Sequence, residues 1–170
     1  MLPIQFIDGD ATIPQADGNK IIAHVCNDIG AWGAGFVRAL SDRWPEPERE
    51  FRRWYHDRAD SGFRLGAGQL VRLETELWVA NMAGQRGIRT RTGIRAESGT
   101  EPADSGPPIR YEAVREALHS LAEHASRLDA SVHMPRIGCG LAGGTWDRVE
   151  PLVVEALTAR GIRTVVHDPA

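Results

Sequence analysis

The sequence is poor in cysteine, and this excludes two classes of protein. Only two cysteines, Cys26 and Cys139, occur in 170 residues, and they have neither the spacing of a zinc site nor that of a disulfide framework. We therefore expect two reduced thiols in a cytoplasmic protein, with no metal ion and no cofactor. The hydrophobic and charged fractions are ordinary for a globular protein.

The chain also lacks a basic excess and a long hydrophobic run. The formal net charge is -3, so there is no general footprint for nucleic acid. No apolar run approaches membrane-spanning length, and residues 1–8 lack the basic and apolar regions of a signal peptide. A chain of 170 residues fits a single domain, and we expect a monomer that contacts no membrane.

Glycine, by contrast, is concentrated in the segment 134–146, MPRIGCGLAGGTW. This segment contains four glycines, which lie between an apolar run and a helical pattern: Gly138, Gly140, Gly143 and Gly144. Glycine tolerates positive φ and lets backbone amides face an anion at a helix N-terminus, where the dipole also favours negative charge. A phosphate is the natural ligand of such a loop, although a tight turn without a ligand has the same composition.

The rest of the pattern predicts an α/β domain. Strands are expected at 4–7, 20–26, 69–74, 77–82, 131–137 and 162–167, and helices at 36–44, 46–58, 109–128 and 149–157. This alternation indicates three layers with a mostly parallel or mixed sheet. Residues 84–108 show no sustained period, so we expect a long, exposed, mobile loop. Its arginines at 86, 89, 91 and 95 either close over phosphates or are solvated, and we favour solvation.

A second glycine-rich segment, 27–35, follows the apolar run 20–26, just as 134–146 follows a strand. Ligands of such sheets lie beyond the carboxyl ends of the strands. The two segments can therefore face each other across one cleft and bind a diphosphate from both sides. Neither is a Walker loop, and neither has the Gly-x-Gly-x-x-Gly spacing of a dinucleotide site.

Three blocks of the sequence together resemble the macrodomain family. They are Gly9-Asp10, the stretch 23–35 (AHVCNDIGAWGAG), and the segment 134–146. The resemblance is strongest to the branch that contains the terminal ADP-ribose protein glycohydrolase and the ADP-ribose-binding module of a chromatin-remodelling ATPase. It implies a six- or seven-stranded mixed sheet between helices, and a cleft that binds ADP-ribose or an ADP-ribosylated protein.

The resemblance assigns roles to individual positions. Asp10 matches the acid that reads adenine, with the Ala11 amide assisting, although Asp10 taken alone is a turn residue. Asn27 matches a side chain that contacts the distal ribose, and a local turn bond is its alternative. The first phosphate loop corresponds to Gly33, Ala34 and Gly35, and the second to Gly138, Cys139, Gly140 and Leu141. Cys139 is then a neighbour of the phosphates and not a nucleophile, and Trp146 packs in the core.

Two positions depart from the glycohydrolase that the branch contains. Gln85 lies near its lysine position, and Ala142 takes the place of its acid. A glutamine cannot form a Schiff-base adduct, and an alanine cannot transfer a proton, so the lysine-adduct mechanism is not expected. Asn27, Asp28 and Gln85 are the polar side chains that we nominate as catalytic. His24 and His133 lie within apolar strands and are expected to be satisfied core histidines.

Three functions fit this cleft. We favour a hydrolase that releases mono-ADP-ribose from acidic side chains, with a positioned water attacking the anomeric carbon or the ester carbonyl. A reader module that only binds ADP-ribose is the first alternative. A phosphatase acting on ADP-ribose 1''-phosphate uses the same pocket and is the second.

Overall fold

A computed structural model describes residues 2–97, 99–101 and 106–169. Its main sheet has six strands in the order β1-β9-β8-β2-β4-β3. All neighbours are parallel except β3, which is antiparallel to β4. The bounds are β1 Gln5–Asp8, β2 Lys20–Asn27, β3 Gly68–Glu74, β4 Leu77–Gln85, β8 Ser131–Met134 and β9 Thr164–Asp168. The prediction of a mixed sheet of six or seven strands is confirmed.

Helices cover both faces of the sheet, as the three-layer prediction required. Their bounds are α1 Phe36–Ser41, α2 Glu46–His56, α3 Arg58–Ser61, α4 Tyr111–Leu128 and α5 Trp146–Ala156. Breakers that the sequence marked lie at two boundaries. Helix α2 begins after Pro45, and the turn Thr158–Arg160 beyond α5 ends at Gly161, whose φ is 79°. None of the described helices has the length and hydrophobicity needed to cross a membrane.

The central strand β2 divides the core because its side chains alternate between two faces. Ile21 and Ala23 belong to the cluster under α4 and α5. Ile22 and Cys26 belong to the cluster under α1 and α2, which includes the fully buried Phe51. Burying one such large side chain stabilises the fold by about 1.5–3 kcal/mol. Because β2 buries side chains on both faces, its apolar run stabilises the packing of both helical layers.

The prediction of an irregular loop over 84–108 was wrong in its secondary structure. Gly84 and Gln85 complete β4, and a separate antiparallel sheet follows, formed by β5 Ile88–Thr90, β6 Gly93–Ala96 and β7 Gly99–Glu101. The strands are three or four residues long, too short for a period to show in the sequence. The parts of the predicted loop at 98 and 102–105 lie outside the described residues.

Candidate functional site

The parallel strands bring both glycine-rich segments to one edge of the sheet. β2 and β8 are hydrogen-bonded neighbours that run in the same direction, so the loops that follow them emerge side by side. The predicted meeting of the two segments is therefore found in the structure. Two adjoining cavities lie between them, and they share Val25, Ala34, Val37, Gln85 and Leu141 as lining residues.

The Asn27 side chain shapes the first loop, residues 28–35. Its Oδ1 accepts hydrogen bonds from the amides of Ile29 at 3.0 Å and Ala31 at 3.1 Å, and its Nδ2 donates to the Ala31 carbonyl at 2.5 Å. The local turn bond considered for Asn27 is thus present. Asn27 also lines the first cavity, of about 60 Å³, so the same side chain supports the loop and borders the site.

Gly30 is required at its position in this loop. Its φ is 70°, and a Cβ added there would lie 2.2 Å from Cδ2 of Tyr55. Further along, Gly33 and Gly35 also have positive φ, at 66° and 84°. Within the described part of the chain, the amides of Gly33, Ala34 and Gly35 have no hydrogen-bond acceptor. Amides left unpaired beside a cavity are the donors that an anion needs.

The second loop, residues 135–145, folds back on itself. The Gly144 amide donates to the Gly138 carbonyl at 2.8 Å, and the Gly143 amide donates to the Gly140 carbonyl at 3.0 Å. The amides of Gly140 and Leu141, between these bonds, have no acceptor among the described residues. Gly138, Gly140 and Leu141 line the second cavity, which has a volume of about 290 Å³.

Asp10 follows β1 at the same edge of the sheet. Its Oδ1 accepts from the Thr12 amide at 2.8 Å and the Thr12 hydroxyl at 2.7 Å, a turn bond of the kind expected for this residue alone. Partial burial opposes ionisation, but the Thr12 bonds outweigh it and hold the pKa of Asp10 below its usual value. Asp10 is exposed and Ala11 is buried, and neither lines the two cavities. Their adenine role stays a prediction.

The nominated catalytic residues divide into two groups. Asn27 and Gln85 line the first cavity, and the Gln85 Nε2 donates to the Gly87 carbonyl at 2.9 Å. Asp28 lines neither cavity; its Oδ1 accepts from the Gly87 amide at 2.8 Å. In this arrangement Asp28 fastens the first loop to the turn after β4. Ala142, at the acid position, is buried and lines the second cavity with a methyl group.

Sequence reasoning missed Arg89 as a residue of the site. It is exposed, in keeping with the expectation of a solvated arginine, but it lies on β5 and also lines the first cavity together with Gln85 and Leu141. Its Nη2 is also 3.4 Å from the position that a Cβ on Gly143 would occupy, which brings its charge to the second loop. No signal in the sequence singled it out from Arg91, which is exposed in the turn between β5 and β6.

Cys139 has no activating environment in the second loop. Its Sγ contacts the Ile137 carbonyl oxygen at 3.4 Å, and burial raises the pKa of the thiol although Arg136 opposes the shift. Trp146 packs against the core as predicted, with its Nε1 donating to Glu150 at 2.7 Å.

Both strand histidines are satisfied core residues, as predicted. His24 is buried beneath the first loop and hydrogen-bonds with Oδ1 of Asn81 at 2.5 Å. His133 is buried between Ser131 at 2.9 Å and His167 at 3.2 Å. Burial is the main cause that lowers the pKa of His24 to about 4 and that of His133 to about 3.

Comparison with known proteins gives the family. A solved macrodomain protein from Streptomyces coelicolor is 50% identical, with a TM-score of 0.83, and the match covers 99% of this chain and 100% of that one. The chain therefore belongs to the macrodomain family. It matches no family model.

Two curated proteins are more distant relatives of this chain. Chromodomain-helicase-DNA-binding protein 1-like of Danio rerio is 30% identical over 96% of this chain, which spans only 15% of that protein's length. An ADP-ribose 1''-phosphate phosphatase of Lodderomyces elongisporus is 21% identical over 98% of this chain and 100% of its own. The helicase relative agrees with the branch that the sequence blocks predicted.

Proposed function

We propose that the cleft binds ADP-ribose, with the diphosphate between the two glycine-rich loops. One observation carries this proposal: unpaired amides at Gly33, Ala34 and Gly35 lie across one cleft from unpaired amides at Gly140 and Leu141. Two sets of donors on opposite walls match two linked phosphates better than a single anion. Macrodomain membership supports the same ligand.

The predicted roles give the ligand a direction in the cleft. Asp10 and Ala11, after β1, receive the adenine end, and Asn27 receives the distal ribose. The distal ribose then lies in the first cavity, between Asn27, Gln85 and Arg89. Its anomeric carbon is the atom through which ADP-ribose is joined to a modified protein.

The second part of the proposal is hydrolysis of the ester between ADP-ribose and an acidic side chain. A water oxygen bonds to the anomeric carbon, the bond from that carbon to the ester oxygen breaks, and the electron pair leaves on the carboxylate. The water's proton passes to solvent. A carboxylate is a good leaving group, so positioning and electrostatics supply the catalysis without a strong base.

A lysine adduct takes no part in this mechanism. Lys20 is the one lysine of the sequence, and it starts β2, at the opposite end of the strand from the cleft, with its Nζ bonded to the Gly18 carbonyl. Arg89 is the cation that lines the first cavity. Its guanidinium stabilises the departing carboxylate as negative charge develops there.

A turnover assay tests this function. The protein is incubated with a partner automodified on glutamate, and released ADP-ribose is measured beside a parallel binding measurement. Release by the wild-type protein, and none by Gly140→Glu, supports the hydrolase. Binding without release makes the protein a reader, and release of phosphate from ADP-ribose 1''-phosphate alone makes it a phosphatase.

Gln85→Ala is expected to affect turnover more than binding. The Gln85 amide holds the Gly87 turn beside the first cavity, whereas the diphosphate donors belong to the two loops. We expect kcat to fall about tenfold or more while the Kd for ADP-ribose changes less than about threefold. Comparing kcat with Kd from calorimetry checks this. If kcat falls and Kd rises by the same factor, Gln85 is only a binding residue.

A further inference from the structure

A basic groove adjoins the first cavity on the side away from the second loop. Its volume is about 700 Å³. Its walls come from the first loop, from α2, from the start of α3, and from β5 and β6. The charged and titratable side chains that line it are Arg52, His56, Arg58 and Arg95, with Tyr55 among them.

The groove is continuous with the first cavity. Ala31, Trp32, Gly33 and Ile88 line both. If the distal ribose lies in the first cavity, the protein segment attached to its anomeric carbon lies next to the groove, because these four residues border both spaces. This step rests on the proposed function, because it takes the orientation of ADP-ribose from there.

Positive charge exceeds negative charge along this groove. Arg52 pairs with Glu48 at 2.8 Å and also donates to the Gly30 carbonyl at 3.4 Å. Arg58 pairs with Glu97 at 3.4 Å. Arg95 has no ion pair with any described residue. Arg95 therefore remains as one cation of the groove beyond the two that are paired.

The groove already holds one carboxylate. Glu97 contacts both the Arg58 guanidinium at 3.4 Å and the Tyr55 hydroxyl at 3.5 Å. Exposed side chains form these contacts, so an incoming carboxylate can exchange with Glu97 at little cost. We propose that this groove binds an acidic segment of the modified partner protein, next to the ADP-ribosylated residue.

The aromatic contacts favour a peptide over a second nucleotide unit. Single-stranded nucleotide chains are held on open aromatic faces. The Arg58 guanidinium covers one face of the Tyr55 ring at 4.2 Å, the ring also contacts Phe63, and Trp32 is buried. Arginines that pair with carboxylates therefore remain as the recognition elements of the groove.

Binding of three probes tests the groove. The probes are free ADP-ribose, and ADP-ribose joined through a non-hydrolysable linkage to a peptide with acidic flanks or to one with neutral flanks. We expect the wild-type protein to bind the acidic conjugate about three- to tenfold more tightly than the neutral one, since exposed ion pairs are individually weak. The preference should fall about two- to threefold in Arg95→Gln and shrink with added salt. Arg91→Gln, an exposed arginine on the same hairpin that lines neither space, is the matched control.

The outcomes separate this inference from the proposed function. Equal binding of the two conjugates, or a preference that Arg95→Gln leaves intact, overturns the inference about the groove, provided that free ADP-ribose still binds. Failure of free ADP-ribose to bind overturns the proposed function instead. A fourth probe, a conjugate that carries a second ADP-ribose unit, tests the nucleotide alternative. If it binds more tightly than the acidic peptide conjugate, the inference is overturned in favour of a nucleotide chain.

Discussion

Gly140→Glu is expected to abolish ADP-ribose binding, with an affinity loss of about 100-fold or more. The substitution puts a carboxylate where the second loop offers amides to the diphosphate, and like charges brought together in a binding site cost several kcal/mol. The fold itself should tolerate the change. Gly140 is exposed, and a Cβ added there meets no atom within 4 Å.

Two matched variants separate charge from bulk in this experiment. Gly140→Gln adds nearly the same volume without charge, and Gly140→Ala adds one methyl group. Calorimetry should rank the losses in affinity as Glu above Gln above Ala, while the melting temperatures without ligand stay close to that of the wild-type protein. Full affinity in Gly140→Glu would mean that the second loop does not hold the diphosphate.

Acid is expected to destabilise the protein sharply between pH 6.5 and pH 4. His24 and His133 have folded-state pKa values of about 4 and about 3, while an unfolded histidine titrates near 6.5. In that window the unfolded chain binds more protons, so lowering the pH favours unfolding. The stability that the two neutral histidines contribute is fully present above pH 6.5 and is lost as the pH falls. At pH 5 each histidine should lower the free energy of unfolding by about 2 kcal/mol, and the pair by about 4 kcal/mol.

Chemical denaturation at pH 7 and pH 5 checks this, with one variant and one control. His24→Gln keeps an N–H donor for Asn81 but does not titrate, so the drop between the two pH values should shrink by about 2 kcal/mol. Arg91→Gln removes an exposed side chain that stays protonated between pH 5 and pH 7 and should leave the drop unchanged. A drop that is the same in His24→Gln as in the wild-type protein would show that His24 accepts a proton in the folded state.

Most of the fold was predictable because burial leaves a regular mark on the sequence. The apolar run of β2 predicted a strand covered on both faces, and Ile21 and Ile22 do lie in opposite layers. The stripe of α4 was equally clear. The small sheet of β5, β6 and β7 left no such mark. Its strands are short, and Arg89 and Arg95 are exposed.

The loops of the site were predictable and its side-chain chemistry was not. Gly33, Gly35 and Gly138 have the positive φ values that glycine tolerates best, so composition alone pointed to them. The bond between Asp28 and the Gly87 amide joins residues 59 apart in sequence. The contact of Arg89 with the cleft depends likewise on how two separate loops approach each other. Neither has a local pattern.

Calorimetric titration of the wild-type protein with free ADP-ribose tests the central claim most directly. The two-loop cleft predicts a saturable single site, and ligand at a hundred times its Kd should add about 2.7 kcal/mol to stability and raise the melting temperature. No binding heat and no thermal shift at millimolar ADP-ribose would contradict the claim that these loops form an ADP-ribose site.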